Sequence, residues 1–413
     1  MADRHVDVLL IGGGAASASC AETLRERGFA GSILLVGREP DPPYERPPGS
    51  KDYLAGTSAK EDAFLHPADW YAAHDIELRV RTSVMKLDTE AREAALSTKE
   101  TVSFDHALIA SGANVRRLPV DGSDLEGIHY LRALRNADAI RDDTADAAHV
   151  VMVGGSYIGC EVAATLTSLG KTCTVVMQED LPLSRGFGET AGRFFEGLLA
   201  SKGITFIGGA EVARFEGEGE RVERVVLADD TVLEADAVIL GVGAVPDVML
   251  ARSAKLELGE GGGVLCDDRL RTSAPGIFAA GDMCEYASAI HGRHVRIEHF
   301  EVAVAHGKTV AANIMGDDVA HTEVPYFWSD LADWATLESV GPALDGFDDE
   351  VVRGSLEDGE FTLWLLREGR LAAALTVGRG DDLDHARRFL TDHTPLADHR
   401  AALADPAADL ASL

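Results

Sequence analysis

Cations, paired cysteines and long apolar runs are what this sequence is short of. Lysine and arginine number 38 against 69 aspartates and glutamates, a formal net charge of −31 in 413 residues. That balance argues against nucleic acid or an anionic membrane as a partner held by bulk electrostatics, and describes a solvated acidic surface. The five cysteines (Cys20, Cys160, Cys173, Cys266, Cys284) are scattered, with no C-x-x-C pair and no metal-ligand spacing. No disulfide framework and no metal are therefore expected, and the thiols read as small buried apolar groups in a reducing compartment. No run has membrane-spanning length and no basic, apolar leader is present, so a cytoplasmic location without membrane attachment is expected. A hydrophobic content of 46% describes a globular chain long enough for about two or three domains.

Two stretches stand out against that background. Val6-Asp-Val-Leu-Leu-Ile11 is a run of the kind buried on both faces of a parallel sheet, and Gly12-Gly13-Gly14-Ala15-Ala16-Ser17 follows at once, leading into a helix over 18–27. Strand, glycine turn and helix open a dinucleotide-binding unit. Gly12 permits the tight turn, Gly14 admits a pyrophosphate against the backbone, and small Ser17 stands where a third glycine would pack on the strand. The unpaired N–H groups at the start of the helix receive the phosphates. Val150-Val-Met-Val153 and Gly154-Gly155-Ser156-Tyr157-Ile158-Gly159 repeat the pattern, with Ser156 in place of the middle glycine. One such turn is weak on its own; its recurrence predicts two dinucleotide sites.

The strand after each turn carries the next clue. Ser32–Val36 ends in Gly37-Arg38-Glu39, where a carboxylate commonly holds an adenosine ribose; Glu39 is the candidate and Arg38 an alternative contact. Thr174–Met177 ends in Gln178-Glu179-Asp180, whose carboxylates repel a 2′-phosphate and accept from a free 2′-hydroxyl. That favours NADH over NADPH, although Arg185 lies close in sequence. Between the units, the proline-stiffened loop Pro43–Lys51 presents Arg46, Ser50 and Lys51, two cations suited to a pyrophosphate and an electron-rich ring. Ala107–Ala110 is read as a strand turning at Ser111-Gly112, residues 121–147 as helical, 188–202 as a helix, and 237–244 as a buried strand ending in glycines that include Gly243. Ile277-Phe-Ala-Ala-Gly281-Asp282 sets a carboxylate at a sheet edge, able to accept from a polyol hydroxyl. From about Glu323 the pattern becomes an aromatic cluster at Tyr326–Asp330, strands within 351–377, a helix over 382–390, and an Ala- and Asp-rich tail expected to fray. Trp328 is either core or a cover for a flavin ring.

In that order, Gly12-x-Gly14, Arg46-Pro-Pro-x-Ser50-Lys51, Ser111-Gly112, Gly154 through Glu161, Ile277-Phe-Ala-Ala-Gly281-Asp282 and Phe327-Trp328-Ser329-Asp330 resemble the FAD-dependent pyridine nucleotide-disulfide oxidoreductase superfamily. Within it the chain is similar, over nearly its whole length, to the putidaredoxin-reductase-like ferredoxin reductases. The resemblance implies an α/β protein of two Rossmann-like dinucleotide-binding domains, one inserted in the other, plus a C-terminal α+β interface domain. The boundaries would be 1–115 and 245–322 for FAD, 116–244 for NAD and 323–413 for the interface. It places Lys51 near flavin N5, paired with Glu161, which helps orient the nicotinamide; Asp282 on the ribityl chain; and Trp328 beside the isoalloxazine. Gly12, Gly14, Ala15, Ser17, Glu39, Arg46, Ser50, Lys51, Ser111, Gly112, Arg116, Gly281, Asp282 and Trp328 form the expected FAD set. Gly154, Ser156, Tyr157, Ile158, Gly159, Glu179 and Gly243 form the expected NAD set. Gly49 replaces a usual leucine, Ser17, Ser111 and Ser156 replace a usual glycine or threonine, and Met177 stands where relatives carry the ribose-binding acid.

The activity so implied is electron transfer from NADH through FAD to a [2Fe–2S] ferredoxin that serves a cytochrome P450 monooxygenase or a dioxygenase, by a monomer or homodimer. Arg293-His294-Val295-Arg296 is a candidate basic contact for an acidic ferredoxin. Disulfide reductases, peroxidases and water-forming oxidases need a redox cysteine facing the flavin, and residues 38–51 contain none. A redox-responsive binding protein similar to apoptosis-inducing factor, and an NADH oxidase or diaphorase, are the competing readings.

Overall fold

The computed structural model describes residues 2–413, and the chain divides into two units. The first comprises the described residues up to 45, with 60–114 and 244–325. Its sheet has parallel strands in the order Ile76–Arg79, Ile33–Val36, Arg4–Ile11, Thr101–Ile109, with Glu93–Leu96 and Val84–Asp88 continuing antiparallel. Ile277–Ala279 runs parallel to the last residues of Thr101–Ile109. The register aligns Ile11 with Val36 and Ile109, and Ile109 with Ala279, so the turns after three glycine- or serine-bearing strands open on one carboxyl edge. Leu9, Leu10, Leu34 and Leu35 are fully buried, as expected of strands covered on both faces. The helix Ala15–Glu26 lies against Phe300–Ile314 so closely that a Cβ on Gly307 would sit 2.3 Å from the Ala16 carbonyl oxygen.

The second unit comprises residues 46–59, 115–243 and 326–413, so the loop carrying Arg46, Ser50 and Lys51 packs here and not with the segments that flank it in sequence. One sheet is parallel, ordered Thr205–Ile207, Thr172–Val176, His149–Val153, Ala237–Leu240, Ile128–Tyr130. A second is antiparallel, ordered Tyr326–Leu331, Ala335–Val340, Arg370–Val377, Glu360–Arg367, Asp349–Ser355, with the helix Asp382–Thr391 packed on it. Trp364, Phe361 and Phe389 fill its core.

Three segments differ from expectation. Residues 121–147 are not helical throughout: Ile128–Tyr130 adds an edge strand beside Ala237–Leu240, and the helix runs only from Leu134 to Thr144, where the Asn136 side chain accepts the Ala133 N–H. The helix expected at 188–202 begins at Ser184 and bends at Gly188, whose φ of +82° and the Phe347 ring, 2.5 Å from any added Cβ, admit only glycine. The tail does not fray. Buried Arg353 pairs with Asp382 at 3.2 Å and donates to the carbonyls of Ala402, Asp405, Pro406 and Ala408, while Leu403 and Leu410 are buried.

Candidate functional site

In the first unit the glycine turn has the build a dinucleotide needs. Gly12 has φ of +120°, and a Cβ there would lie 2.1 Å from the Ala110 carbonyl oxygen, so no side chain is tolerated. Gly14 is the extended N-cap of Ala15–Glu26, no side chain caps the first turn, and the space beyond its Cα is open. The first-turn N–H groups, beginning at Ala15, are thus left facing outward. Ser17 is fully buried and its hydroxyl has no hydrogen-bond partner among the described residues. Glu39 accepts from the Tyr44 hydroxyl at 2.6 Å. Arg38 is engaged with Asp247 at 3.0 Å and Asn114 at 2.9 Å.

The other two turns on this edge brace each other. The Ser111 hydroxyl lies 2.7 Å from the Asp247 carbonyl and 2.9 Å from the Met283 sulfur, and the Gly112 carbonyl accepts the Asp247 N–H. Gly281, with φ of +72°, opens a short 3₁₀ turn through Met283 that presents half-buried Asp282. Arg296, offered above as a partner contact, points inward. It donates to the carbonyls of Asp282 (3.0 Å) and Gly261 and pairs with Glu298, leaving its side chain 19% exposed. Within that stretch Arg296 is therefore engaged in the fold, while Arg293 and His294 are exposed.

The turn in the second unit repeats the geometry. Gly154 has φ of +111°, and its Cβ would meet the Gly241 carbonyl oxygen at 2.4 Å. Ser156 is the extended N-cap of Tyr157–Ser168; its hydroxyl donates to the Gly241 carbonyl at 3.2 Å and caps nothing, again leaving the helix end for a ligand. A Cβ on Gly159 would lie 1.9 Å from the Gly154 carbonyl oxygen. Met177 is buried against Gly155, and Glu179, two residues on, is half-buried. Ile158 is exposed, the Tyr157 ring packs on Phe327 with centroids 4.3 Å apart, and the Gly243 carbonyl accepts the Arg116 N–H at 2.9 Å.

A buried ion pair sits between this helix and the Arg46–Ala59 loop. Lys51 Nζ lies 2.8 Å from Glu161, whose side chain is only 6% exposed. Ser50 Oγ donates to the same carboxylate oxygen and Ser329 Oγ to the other, each at 2.5 Å, while Thr165 Oγ1 donates to the Ser50 carbonyl at 2.8 Å. Three donors satisfy one buried carboxylate, the condition under which a buried charge is tolerated. Arg46 donates to the Arg132 carbonyl at 2.6 Å, bringing a second arginine beside it. Sequence reading named Ser329 only within the Phe327–Asp330 motif, without its contact to Glu161, and missed Thr165 and Arg132. Strand alternation offered a signal for Ser329, since in Tyr326–Leu331 it must face opposite to Trp328, and it is the fully buried neighbour.

All five cysteines are buried and unpaired, and burial pushes the thiols of Cys20, Cys160 and Cys284 up, that of Cys160 to about 12 with the adjacent Glu161 adding to the effect. Iodoacetamide at pH 8 is expected to leave all five unmodified in the native protein and to label them after denaturation, counted by mass spectrometry.

These features define a flavoprotein oxidoreductase built on two pyridine- and flavin-nucleotide turns. Residues 6–307 match the pyridine nucleotide-disulphide oxidoreductase family and 326–413 the reductase C-terminal family, and the chain belongs to the former. It is 34% identical to a ferredoxin–NAD(P)(+) reductase from Sphingomonas over 94% of this chain and 94% of that protein. Among solved structures it superposes on the ferredoxin reductase for the CYP199A2 system from Rhodopseudomonas palustris with a TM-score of 0.93, at 32% identity over 98% of this chain and 99% of that one. The putidaredoxin reductase of a covalent putidaredoxin complex gives 0.91, at 33% identity over 100% and 98%. FAD and NAD(P)H are the cofactors of this family, and the residues present fit them: open Gly14, two uncapped helix starts and the unpartnered Ser17 hydroxyl. Among the described residues no helix is long and apolar enough to cross a membrane.

Proposed function

We propose that the protein carries electrons from NADH through FAD to a [2Fe–2S] ferredoxin serving a cytochrome P450 or a dioxygenase. The observation that supports this most directly is the matched pair of turns at Gly12 and Gly154, each a positive-φ glycine against the carbonyl that follows the adjacent parallel strand and each followed by an uncapped helix. Residues 1–115 and 245–322 hold FAD, 116–244 hold NADH, and 323–413 serve the interface. When bound, FAD supplies the conversion of a two-electron donor into single-electron transfers. The chain's own residues bind and orient. Gly12, Gly14, Ala15, Ser17 and Arg46 receive the pyrophosphate, Glu39 the adenosine ribose, Ser111 and Gly112 line the turn beside it, and Asp282 after Gly281 accepts from the polyol. Arg116 and Trp328 complete that set. Gly154, Ser156, Tyr157, Ile158, Gly159 and Gly243 receive the nicotinamide dinucleotide.

Lys51 brings a fixed ammonium to the redox centre, and Glu161, anchored by Ser50 and Ser329, holds it in place. Glu179 faces the adenosine ribose of the nicotinamide nucleotide, which favours NADH over NADPH; Glu179→Arg is expected to lower kcat/KM for NADH and raise it for NADPH. Two measurements test the whole. NADH added anaerobically is expected to bleach the flavin within the stopped-flow time range, and cytochrome c reduction is expected to depend on a [2Fe–2S] ferredoxin drawn from a panel. Absence of bleaching would overturn the reading. Bleaching with no ferredoxin accelerating reoxidation would favour the redox-responsive binding protein.

A further inference from the structure

The turn that presents Asp282 is held at both ends, by His306 at its start and by Arg296 at its end. At its start the Gly281 N–H, in a buried left-handed residue, donates to His306 Nδ1 at 3.2 Å. At its end Arg296 donates to the Asp282 carbonyl at 3.0 Å. A backbone N–H can only donate, so Nδ1 is the bare nitrogen and the proton of the neutral ring sits on Nε2. His306 is 1% exposed on the helix Phe300–Ile314, and it stands edge-on to two further rings: Tyr286, with centroids 4.7 Å apart, and His321, 4.6 Å apart. Its Nε2 and the Tyr286 hydroxyl find no hydrogen-bond partner among the described residues, so nothing else ties the imidazole in place for a hydrogen-bonding purpose of its own. Burial, reinforced by His321, holds the His306 pKa well below the ordinary value, which keeps Nδ1 able to accept.

We propose that His306 and Arg296 are positioning residues that fix the Gly281–Asp282 turn in the conformation in which Asp282 receives the flavin's polyol chain. The inference rests on Asp282 being a flavin ligand, as proposed above. Gly281 needs the His306 contact because glycine is the residue least confined by its own backbone, and a left-handed glycine released from its acceptor has several other conformations to adopt. Without the acceptor the buried N–H is also left unsatisfied, and the turn relaxes toward water to satisfy it.

The test is flavin affinity of the deflavinated protein, titrated with FAD by fluorescence quenching, together with the midpoint potential of the reconstituted protein. His306→Leu, which removes the acceptor at similar volume, is expected to weaken FAD binding about tenfold and shift the potential, and His306→Gln, whose side-chain oxygen can accept, is expected to restore both. Arg296, 19% exposed against 1% for His306, is the less buried of the two, and Arg296→Met is expected to fold and to weaken FAD binding in the same direction. Asp282→Asn is the control on the underlying reading. If it leaves FAD affinity unchanged, the flavin role of Asp282 fails and the proposal fails with it. If Asp282→Asn weakens binding while His306→Leu and Arg296→Met do not, or if His306→Gln behaves like His306→Leu, the positioning role alone is overturned. Should His306→Leu not fold, Arg296→Met and His306→Gln decide the matter by the same titration.

Discussion

Lys51→Met is expected to yield a yellow, folded protein whose flavin is reduced by NADH roughly a hundredfold more slowly, about 3 kcal/mol of lost transition-state stabilisation. The same substitution strands Glu161, a carboxylate 6% exposed, with two serine hydroxyls and no cation. Breaking one side of a buried pair costs on the order of 3 kcal/mol or more in stability, so Tm is expected to fall as well. The double variant Lys51→Met/Glu161→Gln separates the two effects. With both charges gone, the amide oxygen of the introduced glutamine accepts from one of the two serines and its NH2 donates to the hydroxyl oxygen of the other, so Tm is expected to recover most of its loss while the reduction rate stays low. Stopped-flow absorbance and a thermal melt on the three proteins check this; recovery of the rate in the double variant would mean that the ammonium has no part in the chemistry.

The second large effect is a matched pair. In Gly12→Ala the new Cβ lies 2.1 Å from the Ala110 carbonyl oxygen in a residue with φ of +120°, and in Gly154→Ala it lies 2.4 Å from the Gly241 carbonyl oxygen with φ of +111°. Both changes force a turn open, but in different units. Gly12→Ala is expected to purify pale, with FAD affinity reduced about a hundredfold or more, and Gly154→Ala to purify yellow with KM for NADH raised at least about tenfold. Equal loss of flavin in both variants would contradict the assignment of one nucleotide to each turn.

Acid is expected to weaken the fold before most carboxylates are neutralised. His321 is buried beside Tyr286 and His306, and burial lowers its pKa from 6.5 to about 4. A histidine held neutral in the fold takes up a proton on unfolding, so the unfolded chain binds more protons between those values and stability rises with pH. The loss sets in as pH falls below 6.5 and is complete near 4, on the order of 3 kcal/mol from His321 alone. Urea unfolding at pH 7 and pH 4.5 measures it, and His321→Leu is expected to flatten the slope.

Much of this was legible in the sequence because it is local. Strands such as Arg4–Ile11 and Thr172–Val176 announce themselves as apolar β-branched runs ended by glycine or acid, and a positive-φ glycine after a strand has few other uses. Ile128–Tyr130 was hidden because three residues flanked by polar helix formers show no period of their own; they become a strand only when Ala237–Leu240 offers an edge. Arg296 misled for a similar reason. An arginine in a charged stretch looks solvated, and only the fold reveals the Asp282 and Gly261 carbonyls that draw it in. Ser329 and Thr165 belong to the ion-pair cage through contacts spanning more than a hundred residues, a separation at which no spacing rule operates.

The Arg353 clamp changes what shortening this protein means. Deleting the residues from Ala402 onward takes away four acceptors at once and leaves a buried guanidinium facing Asp382 alone, inside the sheet that also carries Ser329. A clone trimmed at that end for crystallisation is thus predisposed to misfold or aggregate, and an affinity tag is better attached ahead of the first strand.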